Sequence, residues 1–152
     1  MQAMGLKRAL FLDRDGVINA DVGYAYRSEQ IEFLPGIFER CRNACAQGYL
    51  IIIVTNQSGI GRGYYSDEDF HLLMRWMLEQ FTREGCPITA YYYCPHTPED
   101  HCECRKPKPG MIWQAAGEHG IDLANSILIG DKPTDIEAGS AAGIKDCRLV
   151  SA

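Results

Sequence analysis

The chain has 152 residues, 46% apolar and 23% charged, which is one domain's worth of sequence with enough apolar surface for a core and excludes a disordered chain. A formal net charge of −5 argues against a general nucleic-acid or anionic-membrane binder, which needs a basic surface. No run approaches the ~18 apolar residues of a membrane span, and the opening MQAMGLKR has no apolar segment long enough for a signal peptide. The seven cysteines are an odd number in a chain without an export signal, so a reducing, cytoplasmic setting is expected over a disulfide framework.

In chain order, residues 8–13 (RALFLD) predict a buried strand that ends in a polar, Gly-containing turn. Pro35-Gly36 opens a helix to residue 47, with Ile37, Cys41, Ala44 and Cys45 at helical spacing and Gly48 as its stop. Residues 50–55 (LIIIVT) are short, β-branched and apolar throughout, the composition of a strand covered on both faces. Residues 56–65 are Gly-rich and predict a loop. Ser66 and Asp69 form an N-cap pair for a helix whose Phe70, Leu73, Met74, Met77, Leu78 and Phe81 make one apolar stripe, read as core packing. A strand over 88–93, a loop with four prolines over 94–109, and a helix over 111–119 follow. A strand over 126–130, a helix over 135–142 ended by Gly143, and a last strand over 147–150 complete the pattern. Strands alternating with helices predict an α/β fold: a doubly wound, mainly parallel sheet with helices on both faces, in one domain over 1–152. Ligands of such sheets sit beyond the carboxyl ends of the strands.

The residues at those ends carry the chemistry. Asp13 and Asp15 follow the first strand two apart, and Gly16 lets the chain turn away. Asp131 follows a second apolar strand, with Asp135 behind it. Hard carboxylate oxygens in this number suit magnesium, which keeps several waters and binds one or two carboxylates together with substrate phosphate. Thr55 adds a hydroxyl at the tip of the 50–55 strand. Arg105, Lys106 and Lys132 add cations that offset the carboxylates and steady an incoming phosphoryl group.

Four motifs in order, DRDG at 13–16, Thr55, Lys106 and Gly130-Asp131 with Asp135, resemble those of the haloacid dehalogenase-like phosphatases over almost the whole chain. The resemblance implies that Asp13 takes the phosphoryl group as an aspartyl-phosphate and that Asp15 protonates the leaving alcohol and then helps activate water. It also implies magnesium held by Asp13, the Asp15 backbone carbonyl and Asp131, with Thr55 and Lys106 on the transferring phosphoryl group. Splitting one displacement into two easier steps is the gain of such covalent catalysis.

Cys94-Pro95-His96 and Cys102-Glu103-Cys104 supply three thiols and an imidazole, a complete tetrahedral set for structural zinc. A disulfide and isolated core cysteines are the alternatives, and His101 is a possible substitute for His96. Zinc here would pin a long loop whose next residues, Arg105 and Lys106, face the phosphate. A CPH…CxCRKP loop of this kind resembles that of phosphatases specific for D-glycero-D-manno-heptose 1,7-bisphosphate and that of histidinol-phosphatase domains. DRDGVIN, GYAYR, TNQSGIGRG and KPKPGM are closer to the heptose enzymes; the five residues between His96 and Cys102 are closer to the histidinol group. The heptose enzymes also run further past their last strand than Ala152.

Only 39 residues separate Asp15 from Thr55 and 50 separate Thr55 from Lys106, so no separate cap domain is expected and specificity falls to loops. By resemblance, Asp21, Val22, Gly23 and Tyr24, together with Asn56, Gln57 and Ser58, contact sugar or phosphate, with Lys132 at the rim. Arg105 would read a distal phosphate in bidentate fashion. Tyr24, Tyr26, Tyr64 and Tyr65 either line the mouth or simply pack. The expected function is removal of the 7-phosphate of the heptose bisphosphate by a monomer with no nucleic-acid or membrane partner. Histidinol-phosphate hydrolysis, transfer of the phosphoryl group to another alcohol, and phosphate binding without turnover are the rivals.

Overall fold

The structure, a computed structural model, describes residues 6–150, so most of the N-terminal stretch read for a leader and the terminal Ala152 lie outside the described residues. Five parallel strands form one sheet: β1 (Ala9–Leu12), β2 (Leu50–Asn56), β3 (Ala90–Cys94), β4 (Ile127–Gly130) and β5 (Asp146–Leu149). Their order is β3-β2-β1-β4-β5, so β1 lies at the centre between β2 and β4.

Period-two alternation sorts the apolar strand residues onto two faces. Leu10, Leu12, Ile51 and Ile53 meet α1 (Ile37–Ala46) and α3 (Asp67–Arg83) through Ile37, Cys41, Phe70, Met74, Met77 and Phe81. On the other face Ala9, Phe11, Ile52, Val54 and Leu128 meet α4 (Gly110–His119) and α5 (Pro133–Ala142) through Met111, Ile112, Ala115, Ala138 and Ala142. This is the doubly wound sheet expected from the sequence. A side chain such as Phe11, buried at the centre, would cost about 3–5 kcal/mol if cut to alanine. No helix among the described residues is long and apolar enough to cross a membrane.

Ser66 caps α3 as the sequence predicts: its hydroxyl accepts from the Asp69 N–H at 3.0 Å while the Asp69 carboxylate accepts from the Ser66 N–H at 3.0 Å. Most boundaries shift by one residue from the sequence reading, and three differences are larger. A single helical turn, α2 (Ser58–Gly61), lies inside the predicted 56–65 loop; one turn is too short to show a periodicity. Strand β3 starts at Ala90 because its ladder with β2 starts where Ala90 meets Ile52, two residues later than composition suggests. Helix α5 starts at Pro133, whose fixed φ and missing N–H suit a first helical position.

Candidate active site

Asp13 directly follows β1, and its N–H donates to the Ile129 carbonyl of neighbouring β4 at 3.2 Å. Its side chain is almost fully buried. Its Oδ1 accepts from the Arg14 N–H at 2.9 Å and from Lys106 Nζ at 3.1 Å. Lys106 is buried too, and its ammonium also reaches Asp135 Oδ1 at 2.5 Å and the Val54 carbonyl at 3.0 Å. All three of its N–H groups therefore have protein acceptors. Asp135 in turn accepts from the backbone N–H groups of Asp131 and Lys132 at 3.1 Å each through Oδ2.

The strand tips thus gather Asp13, Asp131 and Asp135, each with an oxygen within 4.8 Å of the others. The tight fit depends on Gly16, whose φ is +97° and where a Cβ would lie 2.0 Å from Asp131 Oδ2. Burial pushes Asp13 up to about 7; Lys106 pulls it down, while Asp135 and Asp15 push it further up. Burial also raises Asp131. Asp131 Oδ1 is buried without a hydrogen-bond partner. Three clustered acidic groups, two of them on one lysine, with an orphaned buried oxygen on the third, fit a small hard divalent cation such as magnesium. The sequence predicts Asp13 and Asp131 at this point. It marks Asp135 as part of a motif but not as a member of the cluster; the spacing of four from Asp131, on the first turn of a helix, is the available signal.

The Asp15 side chain lies outside that cluster. Arg14, fully buried, donates from Nε to its Oδ1 and from Nη2 to its Oδ2, both at 3.1 Å, and from Nη2 to the Ala25 carbonyl at 3.0 Å. Asn19 Nδ2 donates to Asp15 Oδ1 at 2.9 Å. Gln57 Nε2 donates both to Asp15 Oδ2 at 3.2 Å and to Thr55 Oγ1 at 2.9 Å. Sequence reasoning misses Arg14 and Asn19, because neither position carries a periodic or metal-ligand signal.

Asp13, Asp15, Thr55, Gln57 and Lys106 open onto one cavity of about 320 Å³. Its outer wall is formed by Asp21, Gly23, Tyr24, Asn56, Ser58, Arg105 and Lys132, as expected, and by Tyr65 and Thr134. Val22 is exposed and is not among the lining residues. Asn56 ties β2 to the neighbouring loop, accepting from the Lys106 N–H at 3.1 Å. Lys132 and Asp21 face each other at 3.9 Å across the rim, both substantially exposed, so their attraction is weak. Of the four tyrosines, Tyr24 and Tyr65 line the cavity. Tyr64 packs edge-on against Tyr24 and Tyr26 stacks on Tyr65.

At the end of β3 and in the loop after it, Cys94, His96, Cys102 and Cys104 also come together, each with a ligand atom within 4.8 Å of the others. Cys94 Sγ lies 3.4 Å from His96 Nδ1 and 3.5 Å from Cys102 Sγ, and Cys104 Sγ lies 3.6 Å from Cys102 Sγ. A tetrahedron with ~2.3 Å metal–sulfur bonds has edges of about 3.8 Å; the Cys94–Cys104 sulfurs, 2.7 Å apart, are closer than that, so three thiols and an imidazole suit zinc by donor type and that pair would part on binding. Against the effect of burial, hydrogen bonds from Cys94, the Arg105 backbone and Cys104 bring Cys102 down to about 6, toward the thiolate a metal needs. The imidazole is that of His96; His101 is not in the cluster. All seven cysteines are free thiols, so the disulfide alternative is not formed.

Residues 103–150 match the family described as HAD-hydrolase-like. The D-glycero-alpha-D-manno-heptose-1,7-bisphosphate 7-phosphatase of Burkholderia mallei is 52% identical over 94% of this chain and 79% of its own length. The D-glycero-beta-D-manno-heptose-1,7-bisphosphate 7-phosphatase of Helicobacter pylori (strain 26695) is 49% identical over 97% of this chain and 86% of its own length. The crystal structure of the D,D-heptose 1,7-bisphosphate phosphatase of B. bronchiseptica, complexed with magnesium and phosphate, superposes with a TM-score of 0.86 at 32% identity over 93% of this chain and 79% of that one. By sequence and by fold, the chain belongs to the haloacid dehalogenase-like hydrolases, in the branch that holds the heptose-1,7-bisphosphate 7-phosphatases.

Proposed function

We propose that this chain is a magnesium-dependent phosphatase that removes the 7-phosphate of D-glycero-D-manno-heptose 1,7-bisphosphate through an aspartyl-phosphate on Asp13. The observation that carries the reading is the convergence of Asp13, Asp15, Thr55 and Lys106 on one cavity, with Asp131 beside Asp13. Donors from Arg14 N–H and Lys106 occupy Asp13 Oδ1, so Oδ2 is the atom that attacks phosphorus. Asp15 gives a proton to the departing sugar oxygen and afterwards accepts one from the water that attacks the aspartyl-phosphate. Thr55 donates to an equatorial oxygen as charge spreads over the phosphoryl group, and the Lys106 ammonium, held by Asp13, Asp135 and the Val54 carbonyl, sets its positive charge beside that group. Magnesium held by Asp13, Asp131 and the Asp15 carbonyl would supply further charge neutralisation and fix the phosphoryl group for in-line attack.

Arg105 lines the cavity, and its guanidinium would take the second phosphate of a bisphosphate. Asp21, Gly23, Tyr24, Asn56 and Ser58 supply groups for the sugar hydroxyls. The same reading includes structural zinc on the cysteine loop, a single domain, and action as a cytoplasmic monomer. The test is a side-by-side measurement of kcat/KM with magnesium. Heptose bisphosphate is expected to outrank histidinol phosphate. The reverse order would move the chain to the second substrate, and phosphate transfer to an added alcohol in place of water would make it a phosphotransferase.

A further inference from the structure

We infer that Gln57 is a positioning residue which aims the Thr55 hydroxyl and the Asp15 carboxylate at the reacting phosphoryl group, with Tyr65 fixing which way its amide faces. This rests on the phosphatase reading above. Resemblance places Gln57 among substrate contacts, but its residue is only 3% exposed. The amide is used up inside the protein: Nε2 donates to Thr55 Oγ1 at 2.9 Å and to Asp15 Oδ2 at 3.2 Å, and Oε1 accepts from the Tyr65 hydroxyl.

With Asp15 ionised, one amide orientation satisfies these partners. In that form, the one that takes a proton from the attacking water, the carboxylate paired with Arg14 only accepts, so Nε2 faces Asp15. The flipped amide would set Oε1 against the Asp15 oxygen. With Nε2 facing Asp15, Oε1 faces Tyr65, which must donate. Burial raises the Tyr65 phenol to about 12, so the donor proton is retained at neutral pH. The ring is held in place by stacking on Tyr26 at 5.3 Å and by Gly59, where a Cβ would lie 2.3 Å from it.

The consequence falls on Thr55. Because its oxygen accepts from Gln57, its proton must point elsewhere. Among the described residues, the acceptor near it is the Asn56 carbonyl at a long 3.4 Å. The hydroxyl proton is therefore available to a phosphoryl oxygen in the cavity that Thr55 lines. The same amide, with Arg14 and Asn19, also fixes the rotamer of Asp15. One side chain thus couples the group that steadies the phosphoryl oxygens to the group that handles the proton.

The test is steady-state phosphate release with magnesium from heptose bisphosphate and from a simple aryl phosphate, for wild type, Gln57→Leu, Gln57→Glu and Tyr65→Phe. Outer partners of this sort typically contribute about 10- to 100-fold in rate. Gln57→Leu is expected to lower kcat by that factor on both esters, with KM nearly unchanged. Gln57→Glu, which turns acceptor oxygens toward Asp15 and Thr55, should lose at least as much. Tyr65→Phe keeps the ring and its stack, loses only the hydroxyl, and should lower kcat in the same direction by a smaller factor. A rise in KM at constant kcat would make Gln57 a substrate contact and overturn the inference. Wild-type kcat in Tyr65→Phe and Gln57→Leu would overturn it as well. If the Gln57 variants fail to fold, Tyr65→Phe decides alone. A wild-type protein inert toward both esters would remove the phosphatase reading itself, and this inference with it.

Discussion

At the carboxylate cluster, Asp13 and Asp135 have Lys106 between them and backbone N–H groups on their oxygens. At the cysteine cluster, Cys94, His96, Cys102 and Cys104 have chiefly one another. The first stands on the tips of two paired strands, β1 and β4, and the first turn of α5; the second has one ligand, Cys94, at the end of the edge strand β3 and three on the loop that follows. Apart from Asp131 Oδ1, the carboxylate cluster has protein partners and a rigid base, an arrangement that can keep its shape as an ion comes and goes. A cysteine cluster without such partners would take its shape from a bound ion. On the proposed reading, the contrast separates a centre built for turnover from one built to hold a segment in place.

The comparison is broken most directly at Asp13. Asp13→Asn is expected to reduce turnover by about 10⁴-fold or more, with thermal stability equal to or above that of wild type, since a buried acid is removed. Cys104→Ser should show the opposite pattern. Its thermal midpoint should fall by about 10 °C or more, at roughly 2–4 °C per kcal/mol for a chain of this size, while turnover at low temperature is largely kept. Metal analysis should find one tightly held zinc per chain in wild type and none in this variant. A zinc-free wild-type protein that is folded and fully active would collapse the distinction.

A third measurement sharpens it through pH. Asp13 is pushed up to about 7 from an ordinary value near 3.8 when no cation is present, so its protonated form is favoured by folding. Its stabilising contribution is complete below pH 3.8 and is lost as pH rises through about 7. Without magnesium, wild type should therefore lose about 2 kcal/mol or more relative to Asp13→Asn between pH 5 and pH 8, visible as ~4–8 °C in the thermal midpoint. Added magnesium should shrink that gap, and a gap of zero in metal-free buffer would show that Asp13 feels no such crowding. The smallest effect belongs to Ser66→Ala, which touches neither cluster: a loss of about 1 kcal/mol for the cap, with kcat unchanged.

Much of both clusters is legible in local spacing alone. The strand-tip aspartates follow short apolar runs, and the cysteine ligands fall within eleven residues of one another, so a linear reading can pick out each group. Strand β1 and its neighbour β2 are legible almost to their ends because their apolar runs are continuous and β-branched or bulky. What escapes is set by contacts through space. The start of β3 depends on its register with β2. The roles of Arg14, Asn19 and Tyr65 arise only when the chain brings them behind Asp15 and Gln57. A buried arginine between two aspartates looks, in sequence, like an ordinary surface charge.

The central place of β1, between β2 and β4, has a bearing on how the protein comes into being. Asp13 is made early and Asp131 late, and they meet only once β4 has docked against β1. Contacts so distant in sequence form slowly, after the cost of closing a long loop has been met. A nascent chain that has not yet delivered its fourth strand therefore carries the proposed nucleophile but lacks the neighbour that would complete its ion site. Catalytic competence and near-complete folding arrive together, which makes turnover itself a stringent reporter of correct assembly.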